Sequence, residues 1–259
     1  MKRSRILLGV PSNGTLSEQS AQASWLASHD HDVVRVPSCT QGLNFNPLWC
    51  EALNRGLRNE IDYFAMMHAD IQVVEDEPGR RWLDRLVEEL EAADVPFVSV
   101  PNAIKDPRGV TSCGVGDPAD RWAPFRRFTL RELEALPRTF QVGDTAHPDK
   151  FLLHNEALCL ADMRDARWYY PDETGRCRFH FRVEEEIRLG PAGWERRQET
   201  EDWSFSRDLW AAGMDSAITR RVKLYHLGQL PYPNWGAVGL YENGDEDSAV
   251  KWRASPAAA

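Results

Sequence analysis

The chain has 259 residues, of which 42% are hydrophobic and 27% are charged. These proportions are ordinary for a globular enzyme with a sizeable core, and they argue against a mostly disordered chain. The formal net charge of -9 excludes a uniformly basic surface for nucleic acid, although a local basic groove remains compatible with it.

The first hundred residues predict alternating strands and helices. Apolar runs predict strands at 6–10, 32–36, 61–68 and 95–100. Amphipathic patterns and capping residues predict helices at 18–28, 47–58 and 80–93. Because such alternation is typical of right-handed crossovers, we expect an α/β fold with a mostly parallel sheet covered by helices.

After residue 100 the pattern becomes less regular, because Gly, Pro, Asp and Arg are frequent. Helices are predicted at 130–136 and 202–212, and the last strand is predicted at 221–227. Residues 151–161 predict either a strand pair or a strand that enters a helix. Residues 100–112 are predicted to form a surface loop between strands, and residues 254–259 a frayed tail.

A His-Ala-Asp tripeptide ends the central predicted strand. Open α/β sheets bind ligands beyond the carboxyl ends of their strands. Residues i and i+2 of an extended chain point the same way, so His68 and Asp70 are predicted to face one metal ion. A carboxylate favours Mg²⁺ or Mn²⁺, and an imidazole shifts the choice toward Mn²⁺. The alternative is that Asp70 caps the following turn and His68 packs in the core.

Two further patterns are compatible with catalysis or with structure alone. Glu201 and Asp202 open a predicted helix, where the positive end of the helix dipole favours an ionised carboxylate that can accept a proton. The alternative is that Asp202 is an ordinary N-cap residue. His226 ends the last predicted strand and precedes a glycine, so its ring could protrude into a site or could be purely structural.

Six patterns in chain order resemble one family. They are Pro-Ser-Asn at 11–13, Ala-x-Asn-x-Gly at 52–56, His-Ala-Asp at 68–70, an Asn-containing segment at 153–159, Glu-Asp at 201–202 followed by an aromatic residue and Phe-Ser, and His-x-Gly at 226–228. In this order, over about residues 5–240, they resemble the GT-A nucleotide-sugar glycosyltransferases of the family 2 type.

The resemblance implies a GT-A fold, which is a Rossmann-like, mostly parallel central sheet flanked by helices, with a smaller acceptor-side region. Residues 1–100 would be the nucleotide-sugar-binding half. Residues 101–250 would be the acceptor-binding and catalytic half of the same domain, and 251–259 a tail. Two features depart from the family. His68 replaces the first Asp of the Asp-x-Asp motif, and one strand-helix unit before the Ala-x-Asn helix is missing.

The resemblance also implies a role for each residue. A Mn²⁺ or Mg²⁺ ion held by Asp70 and His226, with His68 as a third ligand or a neighbour, would bridge the phosphates of a nucleotide-diphosphate sugar. Asp202 would deprotonate the acceptor hydroxyl in an inverting enzyme, with Glu201 orienting it or holding the acceptor. In a retaining enzyme Asp202 would contact the sugar instead. The donor would be bound by Pro11, Ser12, Asn13, Asn44, Asn54, His68 and Asn155.

The acceptor is predicted only by class. Residues 100–112 and 231–236 could form its wall, because aromatic side chains stack on sugar rings and bases. The compact chain also resembles small phage-type glycosyltransferases, some of which modify hydroxymethylated DNA bases. The acceptor would therefore be a glycan, a small molecule or a modified DNA base, although the acidic net charge argues against DNA.

The compartment follows from the cysteines and the apolar segments. The five cysteines show no Cys-x-x-Cys spacing, which argues against a zinc ribbon and a disulfide framework and favours reduced thiols. The first apolar run is too short for a signal peptide, and no stretch has the length of a membrane span. We expect a cytoplasmic protein without a membrane partner, and the oligomeric state is left open.

Two other classes of protein remain as alternatives. A nucleotidyltransferase would share the sheet and the metal-binding carboxylates. It should also have a glycine-rich basic loop after the first strand, whereas Pro-Ser-Asn-Gly at 11–14 contains neither Lys nor Arg. A non-catalytic protein that binds sugars or nucleotides would not need the carboxylate of Asp202.

Overall fold

A computed structural model gives the fold and describes residues 4–12, 31–37, 41–74, 81–105, 108–122, 126–228 and 230–236. The helices are α1 (Gln41–Leu57), α2 (Trp82–Ala93), α3 (Leu130–Glu134) and α4 (Glu201–Ala211), with 3-10 turns at Val142–Asp144 and Ala166–Tyr169. The strands are β1 (Ile6–Ser12), β2 (Asp32–Pro37), β3 (Tyr63–Met67), β4 (Ile71–Val74), β5 (Phe97–Ser99), β6 (Val110–Gly116), β7 (Arg126–Thr129), β8 (Thr139–Phe140), β9 (Phe151–Leu153), β10 (Leu158–Asp162), β11 (Glu184–Gly190), β12 (Gly193–Glu199), β13 (Ala217–Thr219), β14 (Lys223–Leu227) and β15 (Pro231–Pro233).

The central sheet of the described chain has seven strands in the order β2-β1-β3-β10-β5-β13-β8. β1 pairs in parallel with β2 and β3, and β13 pairs in parallel with β5. β10 runs antiparallel between β3 and β5, and β8 is an antiparallel edge strand. Strands β2, β1, β3, β5 and β13 therefore point one way, which confirms the expected α/β fold with a mostly parallel sheet.

Helices cover both faces of this sheet because successive side chains of each strand point to opposite faces. On β3, Ala65 and Met67 belong to the cluster that packs against α2. Phe64 and Met66 belong to the cluster that packs against α1 and α4. The apolar side chains of α1 and α2 recur at helical spacing, so each helix presents one apolar stripe to the sheet.

An aromatic cluster fixes α4 against the sheet. Phe205 of α4 stacks on Phe181, with ring centroids 4.7 Å apart and an interplanar angle of 3°. Trp49 of α1 meets Phe205 edge-on at 5.6 Å, and its indole N–H donates to the carbonyl of Phe179. Burial of each such ring stabilises the fold by about 1.5–3 kcal/mol. The amino end of α4 is thereby held at a defined place on the sheet.

Three smaller sheets complete the described chain: β15-β14-β4, β7-β6-β9 and the hairpin β11-β12. The pairing of β14 with β4 is antiparallel and places His226 opposite Ile71. No helix of the described residues is long and apolar enough to cross a membrane.

Three sequence-based expectations need correction. The helix predicted at 47–58 begins at Gln41, so Pro47 lies inside it and Asn44 lies in a helix and not in a loop. The segment after residue 100 connects β5 to β6 as expected, but Asn102 is buried and β6 already begins at Val110, within the range predicted to be a surface loop. β6 has a mixed sequence of small and polar residues, which lacks the apolar run used to recognise strands. Residues 151–161 form two strands, β9 and β10, in different sheets.

Candidate functional site

Several of the predicted site residues, His68, Asp70, Asn155, Asp202 and His226 among them, lie near the carboxyl ends of β3 and β5. β10 enters the sheet here, since Leu158 pairs with Met67, and the segment 154–157 therefore lies beside residues 68–70. The backbone N–H of His68 donates to the carbonyl of Ala157 at 2.8 Å. Asp202, in the first turn of α4, reaches the same edge and accepts a hydrogen bond from Asn155. This position agrees with the general placement of ligand sites in open α/β sheets.

Residues 68–70 form a turn and not the expected extended chain. The N–H of Ile71 donates to the carbonyl of His68 at 3.1 Å, so the prediction that His68 and Asp70 point the same way as i and i+2 of a strand is wrong. The His68 ring packs against Phe45 of α1 with centroids 4.9 Å apart. Its Nε2 atom is buried and has no hydrogen-bond partner among the described residues.

The pKa of the His68 imidazole depends on its burial and on nearby charged groups. Burial lowers the pKa of His68, while the nearby carboxylates of Asp70 and Asp202 act in the opposite direction, and the pKa falls on balance. The neutral ring is therefore the favoured form. The interactions of His68 with both carboxylates show that the structure brings the tripeptide and the start of α4 into one electrostatic environment.

His226 reaches Asp70 through the pairing of β14 with β4. The N–H of Leu227 donates to the carbonyl of Asp70 at 2.8 Å, and His226 Nε2 lies 3.4 Å from Asp70 Oδ2. His226 Nδ1 lies 2.8 Å from the carbonyl of Ala103 and 3.3 Å from the side-chain nitrogen of Asn102, so these two residues hold the ring in place. Nε2 is therefore the ring nitrogen that faces Asp70.

Lys105 is a member of this group that sequence reasoning missed. Its ammonium lies 2.5 Å from Asp70 Oδ2, and both side chains are 39% exposed. Burial acts to raise the pKa of Asp70, but the contacts with His226, His68 and Lys105 hold it well below its usual range. No local motif marked Lys105, since it lies in the segment that was predicted to be a surface loop.

The segment that carries Asn155 is anchored from behind by buried polar contacts. The N–H of His154 donates to Ser206 Oγ of α4 at 2.9 Å. The His154 ring lies between Ser99 Oγ at 2.8 Å and Ser216 Oγ at 2.7 Å, and burial lowers its pKa to about 3. A neutral, doubly hydrogen-bonded histidine therefore links β5, α4 and the loop before β13.

Asn155 orients Asp202. Its side-chain Oδ1 accepts from the N–H of Ala157 at 3.0 Å, and its amide donates to Asp202 Oδ2 at 2.8 Å. Asp202 Oδ1 is buried and accepts no hydrogen bond from a described residue. Asp202 also lies in the first turn of α4, at the positive end of the helix dipole.

Three carboxyl groups, those of Glu156, Glu201 and Asp202, lie close together in a buried corner of the site. Glu156 is fully buried, and neither of its carboxyl oxygens accepts a hydrogen bond from a described residue. Burial, together with the charge of Asp202, raises the pKa of Glu156 well above its usual range and that of Glu201 to about 7. Glu156 is therefore favoured in its neutral form, which limits the negative charge of this corner. Glu156 lies within the Asn-containing segment 153–159, but nothing in the sequence indicated that its side chain is buried.

Glu201 is expected to make the protein less stable as pH rises. Its folded-state pKa of about 7 lies above the unfolded value of about 4.3, so the folded state binds the extra proton between these values. The free energy of unfolding should then fall by on the order of 3 kcal/mol as pH rises through this range. Glu201→Gln should remove this dependence in urea unfolding at pH 5 and pH 8. An equal effect of the substitution at both pH values would contradict the assignment.

The predicted donor-binding residues are only partly brought together. Pro11 and Ser12 end β1 and lie at the same edge, because Gly9 pairs with Met66 on β3. Asn13 lies outside the described residues. Asn44 is in the first turn of α1, just before Phe45, which contacts His68.

Asn54 is not brought to this edge. It is exposed on α1, and the next residue, Arg55, bonds to Asp32, which is the first residue of β2. Asn54 therefore lies near the amino ends of the strands, whereas His68 follows the carboxyl end of β3.

The residues at this edge fit a divalent ion with two protein ligands. Among the described residues, no group of three or more His, Cys, Asp and Glu side chains is placed to hold a metal ion. Asp70 Oδ2 and His226 Nε2 face each other, and the carbonyl that fixes His226 Nδ1 is a typical support for a ligating histidine. Mg²⁺-type sites commonly use one or two protein ligands and take the others from substrate phosphates and water.

No protein-family model matches the chain, and no curated protein matches it. Among solved structures, A197 from STIV is similar with 15% identity and a TM-score of 0.49, with 86% of each chain covered. An apo UDP-glucose pyrophosphorylase is similar with 9% identity and a TM-score of 0.36, covering 86% of this chain and 76% of that one. A CMP:2-keto-3-deoxy-manno-octonic acid synthetase complexed with CTP has 12% identity, a TM-score of 0.34, and coverage of 83% and 89%. The function of this chain is therefore inferred from its own residues.

Proposed function

We propose that the protein is a metal-dependent GT-A glycosyltransferase, which moves a sugar from a nucleotide-diphosphate sugar to an acceptor hydroxyl. One observation carries the proposal: the Asp70–His226 pair and the buried carboxylate of Asp202 meet at the carboxyl edge of a mostly parallel sheet. A cation site and a proton acceptor at one edge are the two elements that this reaction requires. The order of the six sequence motifs supports the same proposal.

The donor end of the site would be formed by Asp70, His226 and Lys105. Asp70 and His226 would hold a Mn²⁺ or Mg²⁺ ion, which supplies positive charge against the leaving diphosphate when it is bound. Lys105 pairs with Asp70 at 2.5 Å, and it would turn its ammonium to a phosphate oxygen when a donor binds. Ser12, at the end of β1, lies on the side of this edge that would receive the nucleotide.

The acceptor end would be formed by Asp202 and its neighbours. Asn155 holds Oδ2, which leaves Oδ1 to take the proton of the acceptor hydroxyl. The hydroxyl oxygen forms the new bond to the anomeric carbon, and the bond to the diphosphate breaks with its electron pair on the leaving oxygen. Protonated Glu156 and Glu201 would keep the corner at a single negative charge. This arrangement favours inversion, whereas a retaining enzyme would use Asp202 to contact the sugar.

The donor and the metal are expected to stabilise the folded protein only together. In a thermal-shift screen of nucleotide-diphosphate sugars, the donor at about 100 times its Kd should add about 2.7 kcal/mol. For a chain of this size that corresponds to a rise in Tm of about 5–10 °C. The rise should require Mn²⁺ or Mg²⁺ and should disappear with EDTA. If no sugar nucleotide in the screen shifts the Tm with metal present, the proposal fails.

The identity of the leaving group distinguishes a glycosyltransferase from the main alternative, a nucleotidyltransferase. A glycosyltransferase releases a nucleoside diphosphate from its donor, whereas a nucleotidyltransferase that works on a nucleoside triphosphate releases pyrophosphate. Incubation with candidate acceptors should therefore yield nucleoside diphosphate and no pyrophosphate. NMR of the anomeric proton of the product would distinguish inversion from retention.

A further inference from the structure

A second concave site, which we name the basic pocket, lies beyond the opposite end of β14 from His226. Its cavity volume is about 210 Å³. The main lining residues are five cations and one aromatic side chain: Arg85, Arg138, Arg220, Arg221, Lys223 and Trp235. These residues come from α2, from the loop before β8, from the segment 220–223 that leads from β13 into β14, and from the chain after β15. The pocket therefore brings together four separate parts of the chain.

The charge of this pocket is opposite to that of the whole protein. The chain carries a formal charge of -9, whereas five cations and one acid, Glu134, line the pocket. Burial lowers the pKa of Arg220, and the charge of Arg138 adds to this effect while Glu134 opposes it. Arg221 is paired with Glu89 at 3.4 Å, and the remaining cations outnumber Glu134, so the pocket is favourable for a bound anion.

The walls of the basic pocket are held in place by buried contacts. Arg85 is only 7% exposed and donates to the carbonyl of Arg221 at 3.0 Å. Arg220 donates through one terminal nitrogen to the carbonyl of Leu136 at 2.7 Å, while its Nε is buried without a hydrogen-bond partner among the described residues. Asn234 is 3% exposed and bonds to the backbone of β14 and of the residue before it. Anchored wall residues, together with a buried N–H donor that has no partner among the described residues, are features of a preformed anion-binding site.

Size and chemistry point to one kind of ligand group. The cavity is smaller than the drug-sized range, which begins at about 300 Å³, so it accommodates a small charged group and part of what carries it. Guanidinium groups bind phosphate oxygens through paired N–H donors. Trp235, which packs on Tyr225 at 4.9 Å, offers an apolar ring surface beside the cations.

We propose that the basic pocket is a second anion site, which binds a phosphate group of a ligand independently of the donor site. Lys223 and His226 are three residues apart on β14, which corresponds to about 10 Å. A phosphate in the pocket would lie at this order of distance from the candidate functional site. The binding does not require sugar transfer, so it can be tested whether or not the proposed function holds.

The test measures pyrophosphate binding by calorimetry in the presence of EDTA, so that a metal-dependent donor site does not contribute. Arg138→Gln combined with Lys223→Gln should weaken binding at least tenfold. The matched control is Arg58→Gln with Arg196→Gln, which removes the same charge from exposed residues that do not line the pocket. The control should bind like the wild type.

Three results would overturn the proposal. They are unchanged affinity in the pocket variant, an equal loss in the charge-matched control, or failure of both a sugar phosphate and a short DNA oligonucleotide to displace pyrophosphate. Circular dichroism and Tm identify a variant that is unfolded, and in that case the single change Arg138→Gln, at an exposed residue, replaces the double variant. Displacement of pyrophosphate by a sugar phosphate or by a short DNA oligonucleotide supports a ligand-borne phosphate and identifies its source. Displacement by neither rejects it.

Discussion

Asp202→Asn is expected to reduce sugar transfer by about a thousandfold while donor binding stays within about twofold. General base catalysis commonly contributes 10²- to 10⁴-fold, and an amide cannot accept the proton of the acceptor hydroxyl. The substitution keeps the shape of the side chain. The new amide oxygen can still accept the hydrogen bond that Asn155 donates at 2.8 Å. The expected loss is therefore in kcat, since the proposed donor contacts are made by other residues at the carboxyl edge of the sheet.

The measurement is the rate of transfer together with the metal-dependent rise in Tm caused by the donor. Glu156→Gln serves as the matched control, because Gln resembles the protonated, neutral Glu156 that burial and Asp202 favour. It should keep the transfer rate within about tenfold, which is small beside the effect of a lost base. If Asp202→Asn retains more than a tenth of the wild-type kcat, Asp202 is not the base. Equal losses in both variants would indicate a structural role for the whole corner.

The features that the sequence predicted well depend on local patterns. The apolar runs of β1 and β3 and the start of α4 at Glu201 are encoded within a few residues of each element, and each lies close to its expected position. The meeting of the tripeptide with residues 201–202 was implied only by the family resemblance, because α4 follows β12 of the separate hairpin and not a strand of the central sheet.

The features that the sequence missed depend on contacts between distant segments. Lys105 reaches Asp70 across 35 positions of the chain, and Glu156 is buried beside Asp202 of α4. The pairing of β4 with β14 fixes His226 beside Asp70, but β4 has four residues and gave no separate signal. Register and burial of this kind are set by packing and not by local propensity.

Asn54 shows how a motif match can conflict with geometry. A helix rises 1.5 Å per residue, so Asn54 lies about 13 Å along α1 from Phe45, which contacts His68. α1 runs from the carboxyl edge of the sheet to its amino edge, as the bond between Arg55 and Asp32 shows. A helical residue can match a family pattern and still lie at the other end of the helix from the site. Of the predicted donor residues on α1, Asn44 is therefore the one placed beside this edge.

Asp70→Asn and His226→Gln are each expected to weaken donor binding in the presence of Mn²⁺ by at least about tenfold, and the double variant should lose little more than either one. Two residues that hold one ion act as a unit, so removal of the first already removes most of what the second contributes. Without metal, the single variants should bind the donor as weakly as the wild type. A thermal-shift titration of the donor at fixed Mn²⁺, repeated with EDTA, measures all four proteins.

Lys105→Met is the control that distinguishes the loss of a metal ligand from the loss of the ion pair between Lys105 and Asp70. Lys105 and His226 both contact Asp70 Oδ2, at 2.5 and 3.4 Å, so loss of either could weaken donor binding. A metal held by Asp70 and His226 predicts that Lys105→Met still requires Mn²⁺ for donor binding, because it leaves both ligands in place. Additive losses in Asp70→Asn and His226→Gln would show that the two side chains act separately. In that case Lys105 would be the cation that faces the diphosphate, and Lys105→Met would cause the largest loss of donor affinity.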